Sequence, residues 1–150
     1  MAHDTDSIGT LSEHFAKLWS GLTWTELPDS DIAGIKDHVL DTLAVALVGA
    51  RTSEADSVIR ALTAANGSQA GAAVWGTSDR LPLAQAALAN GTSAHARDFD
   101  DGGGAGHAGA TVIPAALAVA ELAGSSGQDF LLATIAGYDV GYRALLAVSS

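Results

Sequence analysis

Three times in this sequence a hydroxyl or carboxylate residue opens a run of apolar residues at helical spacing and a glycine closes it. Such punctuation leaves room for helices and little else. Thr10-Leu-Ser-Glu13 has the spacing of a capping box, in which threonine and glutamate each satisfy a free backbone N–H. Leu11, Phe15, Leu18 and Trp19 follow, then Gly21. Asp29 or Ser30 is expected to cap a second helix, with a stripe of Ile32, Ile35, Val39, Leu43 and Leu47 ending at Gly49. Ser53 and Asp56 repeat the pattern before Val58, Ile59 and Leu62, and Asn66-Gly67 ends it. From Pro82 a fourth run carries Leu83, Ala87, Leu88, Gly91, Ala94 and His95 on one side. Thr111 to Leu122 reads as a fifth helix with Pro114 in its first turn, where a missing N–H costs little. Ser126 and Asp129 cap a last one bearing Leu131, Ile135, Tyr138 and Tyr142. The expected fold is all-α, one helical domain over residues 1–150, with at most a short β arm near residues 72–76.

The composition fits a packed body of small side chains. Hydrophobic residues make up 48% and charged ones 16%, yet only 5% are aromatic and 17 residues are glycine, so helices are expected to approach closely. A chain of this length buries roughly 70% of its unfolded surface, enough for one core. The second half of the second helix, "LAVALVGA", is apolar nearly all round and is expected to be buried on several sides. The formal net charge of −10 repels nucleic acid and anionic membranes, so neither is an expected partner. The longest apolar stretch, Leu43 to Val48, falls far short of the roughly 20 residues of a membrane span. Cysteine is absent, which removes disulfides, thiolate nucleophiles and thiolate metal sites. The N-terminus lacks a signal-peptide pattern, and a cytoplasmic location is expected.

Chemistry concentrates in "HARDFDDGGGAGHAG", residues 95–109. If the fourth helix continues through it, His95, Asp98 and Asp101 lie three residues apart along one face, with Asp100 pointing the other way. Neighbouring carboxylates resist simultaneous ionisation, and glycines 102–106 permit a turn that returns His107 toward them. That is an acid–base arrangement. The same residues read as oxygen and nitrogen ligands admit a magnesium-type site, but no spacing matches a specific metal motif. The glycine run contains a GxGxG fragment, which follows a helix rather than a strand and so does not make a dinucleotide loop. A solvated polar loop between helices remains a third reading.

"ALANGTSAHARDFDD", then "HAGATVIPAALAVAE" and "GYDVGYR", with "AAVWGT" upstream, resemble in that order the N-terminal part of MmgE/PrpD family enzymes. The resemblance implies a helical domain completed by later sequence, a smaller α/β lid, a homodimer, and no metal or other cofactor. It implies proton movement at carbon next to a carboxylate, by dehydration, decarboxylation or epimerisation of a small polycarboxylate. It puts Asp98 and His107 at catalytic positions, Asp98 orienting substrate and His107 carrying the proton, with Asp101, Gly102 and Arg143 as substrate-binding residues. Gly102 stands where many members have threonine, and Ala108 where they have proline.

Charge leads to a related expectation. Negative charge built up beside a carboxylate must be met by donors or cations, and the basic residues near this segment in the sequence are Arg97 and Arg143. The last helix also runs to the final residue without a terminator. Together these suggest half a site, in a truncated product or one part of a split enzyme that needs a second copy or a complementary subunit. The alternative is a catalytically inert helical module for binding or self-association.

Overall fold

The computed structural model describes residues 9–67, 71–103 and 106–148. Six α-helices carry these residues: α1 Leu11–Gly21, α2 Asp29–Gly49, α3 Ser53–Asn66, α4 Leu83–His95, α5 Ala108–Ala123 and α6 Gly127–Val148, with a 3₁₀ turn at Trp24–Glu26. The β arm is minimal: β1 Ala72–Ala73 pairs antiparallel with β2 Arg80–Leu81, in the register Ala72 to Leu81 and Ala73 to Arg80. The all-α class holds.

Helix ends follow local chemistry. Thr10 and Glu13 form the reciprocal cap of α1, and Ser126 and Asp129 exchange the same bonds before α6. Elsewhere the caps move by a residue. Pro28 precedes α2 without a side-chain cap, so Asp29 and Asp31 act only as acidic first-turn residues. Thr52, rather than Ser53, caps α3 by accepting from the Ala55 N–H at 3.3 Å. Gly67 ends α3 with φ +71°, a conformation that favours glycine.

α4 lies at the centre, packed against α2, α3 and α5, with α6 on the far side of α5. Small side chains make this possible: Ala86, Ala89, Asn90, Ser93 and Ala94 are the buried residues of α4. Gly49 of α2 packs directly on the Ser93 carbonyl, where a β-carbon would overlap it. Gly91 faces the Ala110 carbonyl of α5, and a β-carbon there would stand 2.5 Å from that oxygen. α5 begins at Ala108, three residues earlier than expected, so Pro114 sits in the helix interior. It cannot donate to Ala110, and the carbonyl thus released is the one the glycine faces. Asn90 fastens the hairpin to α4, accepting from Trp75 N–H at 2.8 Å and donating to the Ala73 carbonyl at 2.9 Å.

Two further expectations are corrected. Of the expected α2 stripe Ile35 alone is buried; the rest of the buried seam is Thr42, Ala46 and Gly49, with Ile32, Val39 and Leu43 half-buried beside it. Close helix approach selects the small residues and turns the large ones to the flanks. "LAVALVGA" is accordingly not enclosed within this chain: Leu47 and Val48 are 50% and 59% exposed. α6 likewise buries only Thr134 among its described residues. By length and composition alone α6 could cross a membrane, having 22 residues and a mean hydropathy of 1.3 over its most apolar stretch, a feature the uninterrupted-run criterion overlooked. It packs instead along α5 and carries the Asp139–Arg143 ion pair in its second half.

Candidate functional site

α4 stops at His95 instead of continuing, so Asp98, Asp100 and Asp101 are loop residues and the expected helical face does not exist. Asp98 adopts φ +54°, a left-handed conformation that aspartate tolerates better than bulkier residues. The chain therefore turns within "RDFDD". Asp98 is exposed, whereas the Asp100 side chain is fully buried and points inward. Gly103 and Gly106 then pair in an isolated antiparallel bridge, and Gly106 has φ +93°. Gly104, part of the GxGxG fragment, lies outside the described residues, as do Ser149 and Ser150.

His107 immediately precedes α5. Its ring stands between two carboxylates, with Nδ1 3.3 Å from Asp100 Oδ2 and Nε2 3.8 Å from Asp98 Oδ1. The other Asp100 oxygen is 2.9 Å from His95 Nδ1. The two imidazoles meet edge to face, centroids 4.5 Å apart. His95, Asp98, Asp100 and His107 each present one donor atom within 4.8 Å of the others, a set that could hold a metal ion.

Asp101 makes a second cluster. Its Oδ1 accepts from the Gly109 N–H at 2.7 Å, and so satisfies a free donor in the first turn of α5. Its Oδ2 accepts from the Tyr138 hydroxyl at 2.6 Å and lies 3.0 Å from His38 Nδ1. Burial raises the Tyr138 phenol well above its ordinary value, and the hydrogen bond and charge of Asp101 add to this while the Thr42 hydroxyl pulls the other way. Tyr138 is thus a neutral donor throughout the physiological range. The small size of Gly109 matters here, because its missing β-carbon would collide with the Asp101 carboxylate and Thr42 Oγ1.

These residues border a cavity of about 450 Å³ between the glycine turn, α5 and α6, lined by His38, Asp101, Gly102, His107, Thr111 and Tyr138, with apolar walls that include Val112 and Leu145. A second hollow of about 540 Å³, bounded by α4 and α5 and reaching His95, shares His107. Among the described residues, no lysine or arginine lines the first cavity. Arg143, the expected substrate-binding cation, is not among the lining residues; its guanidinium is held at 2.7 Å by Asp139 on its own helix. His38 and Tyr138 were not anticipated as site residues. Helical spacing carries the signal for His38, which lies four residues before buried Thr42 on α2, whereas the spacing of Tyr138 marks only an apolar stripe.

The sequence comparisons bear on what this arrangement serves. The family model described as MmgE/PrpD N-terminal domain matches residues 13–150. The chain belongs to the MmgE/PrpD family. Relatives of this MmgE/PrpD chain include cis-aconitate decarboxylase of Homo sapiens, 35% identical over 144 residues, which cover 92% of this chain and 30% of the relative. Cis-aconitate decarboxylase of Mus musculus is 34% identical over the same number of residues, covering 92% and 29%. The chain spans about 30% of the length of these relatives.

Proposed function

We propose that this segment supplies the proton-handling part of an active site acting on a small polycarboxylate, by moving a proton at carbon next to a carboxylate. The observation that carries the reading is His107: an imidazole flanked by Asp98 and Asp100 at the edge of a cavity with a neutral tyrosine donor, in a chain related to cis-aconitate decarboxylases. Decarboxylation is the first reaction to test, and dehydration and epimerisation share its proton step. In decarboxylation the C–C bond to the departing carboxylate breaks, its electron pair moves into the remaining carbon skeleton, and an acid delivers a proton to carbon. His107, with a carboxylate on either side of its ring, is the acid in this reading. Asp98, exposed beside Nε2, orients substrate or the ring; Asp101, held by Tyr138 and Gly109, shapes the floor with Gly102.

The step also needs positive charge to meet the substrate's carboxylates, and among the described lining residues the basic side chains are the histidines His38 and His107. In this reading the missing cations come from other sequence or from another subunit, as homo-oligomer or complement. No cofactor is invoked. A soluble, cytoplasmic setting goes with the reading and rests on the acidic, cysteine-free composition.

The test uses the protein at the full length its gene encodes, offered cis-aconitate, methylcitrate and iminodisuccinate in deuterated water. Expected is loss of CO₂ or water, or deuterium incorporation next to a carboxylate, from one of them, abolished in His107→Ala. Absence of turnover and exchange with all three overturns it and returns weight to an inert helical module.

A further inference from the structure

Asp100 is the most enclosed ionisable group of the site, its side chain fully buried, and neither expected catalytic role uses it. Its two oxygens face two different imidazoles: Oδ1 lies 2.9 Å from His95 Nδ1, and Oδ2 lies 3.3 Å from His107 Nδ1. Oδ2 is buried without an aligned hydrogen bond. An ionised carboxylate only accepts hydrogen bonds, so an imidazole nitrogen bonded to it carries the proton. A buried acceptor left unmatched is costly, so the geometry favours closing the contact. Catalytic hydrogen bonds are often long in unliganded sites and tighten when substrate arrives.

We infer that Asp100 is a positioning residue: one buried carboxylate that fixes both His95 and His107 as Nδ1–H tautomers, so that His107 exchanges its proton through Nε2, on the side of Asp98. The tie to His95 makes the clamp rigid. His95 is anchored at the end of α4 and His107 at the start of α5, so the carboxylate braces the junction of two packed helices and the ring cannot rotate without breaking it. The same tie reaches the second hollow, bordered by both histidines, so the ring's back face is held from a side that the polycarboxylate cavity does not occupy. This deepens the proposed function and rests on it for the kinetic part alone.

The decisive variant is Asp100→Asn, because it preserves shape and removes symmetry. A carboxylate accepts from two N–H groups; a carboxamide accepts at oxygen and donates at nitrogen, so one imidazole must turn its lone pair toward the amide. The first readout is nitrogen NMR of histidine-labelled protein at a pH where the rings are neutral. Expected in the unaltered chain are Nδ1-protonated His95 and His107, and in Asp100→Asn one of the two becomes Nε2-protonated. A His107 already protonated at Nε2 in the unaltered chain overturns the inference without any variant having to fold. The second readout is kinetic, on the full-length protein: Asp100→Asn is expected to lower kcat about 100-fold with KM little changed, and Asp100→Glu to recover part of it. An unchanged kcat in a folded Asp100→Asn protein that still turns over polycarboxylate overturns the inference and leaves the proposed function standing. Correct tautomers with no turnover of any polycarboxylate overturn the function and leave the clamp.

Discussion

At the scale of single residues, the site is held by groups that accept several donors at once. Asp101 gathers the Tyr138 hydroxyl, His38 and the Gly109 amide, and this sets measurable consequences. Tyr138→Phe removes a hydrogen bond to a charged acceptor that keeps two other partners, and is expected to cost about 1–2 kcal/mol in urea unfolding. The same residue gives a pH signature. Its folded-state pKa lies above the ordinary value of 10.0, raised by burial first and Asp101 second. Its contribution to stability is therefore complete below pH 10 and is lost as pH rises beyond it toward the folded value. The unaltered chain should lose stability more steeply above pH 10 than Tyr138→Phe, and parallel curves would contradict this. Gly109→Ala should cost about 1–3 kcal/mol, since its methyl displaces the carboxylate that the backbone amide holds. Residue types made the importance of residues 95–109 legible. Which aspartate turns inward was not, because that depends on a backbone reversal at Asp98 that a non-glycine residue rarely adopts.

Among the helices, glycine has opposite meanings at two positions of α2. Gly34 has open space where its β-carbon would be, while Gly49 has the Ser93 carbonyl. Gly34→Ala is expected to raise stability by about 0.5–1 kcal/mol through helix propensity alone. Gly49→Ala should lower it by more than that, because α2 and α4 must separate. Equal effects in thermal unfolding would show that the two helices do not meet this closely. Helix number, order and most ends were legible from caps and glycines, because those signals act within four residues. The buried face of α2 was not. Size-weighted reading puts Leu43 and Leu47 inside, but a core built on backbone contact prefers Thr42, Ala46 and Gly49. Pro114 misled in the same way: local sequence favours it in a first turn, and its interior place makes sense only beside Gly91 of a neighbouring helix.

Taken as a whole, the molecule is an acidic body with a formal net charge of −10, and its proposed ligands are anions. Long-range repulsion between the two is screened by salt, with a Debye length of about 30 Å at 0.01 M and about 8 Å at 0.15 M. For this 150-residue chain, citrate-class anions titrated against the His107 resonances should therefore bind more tightly at 0.15 M than at 0.01 M salt. Weakening with salt would mean that local cations dominate. The pairing of Gly103 with Gly106 has a practical side: the chain enters and leaves the glycine turn through one narrow neck, one residue short of His107. A reporter peptide spliced between those two glycines would hang from that neck, beside the His107 ring at the start of α5.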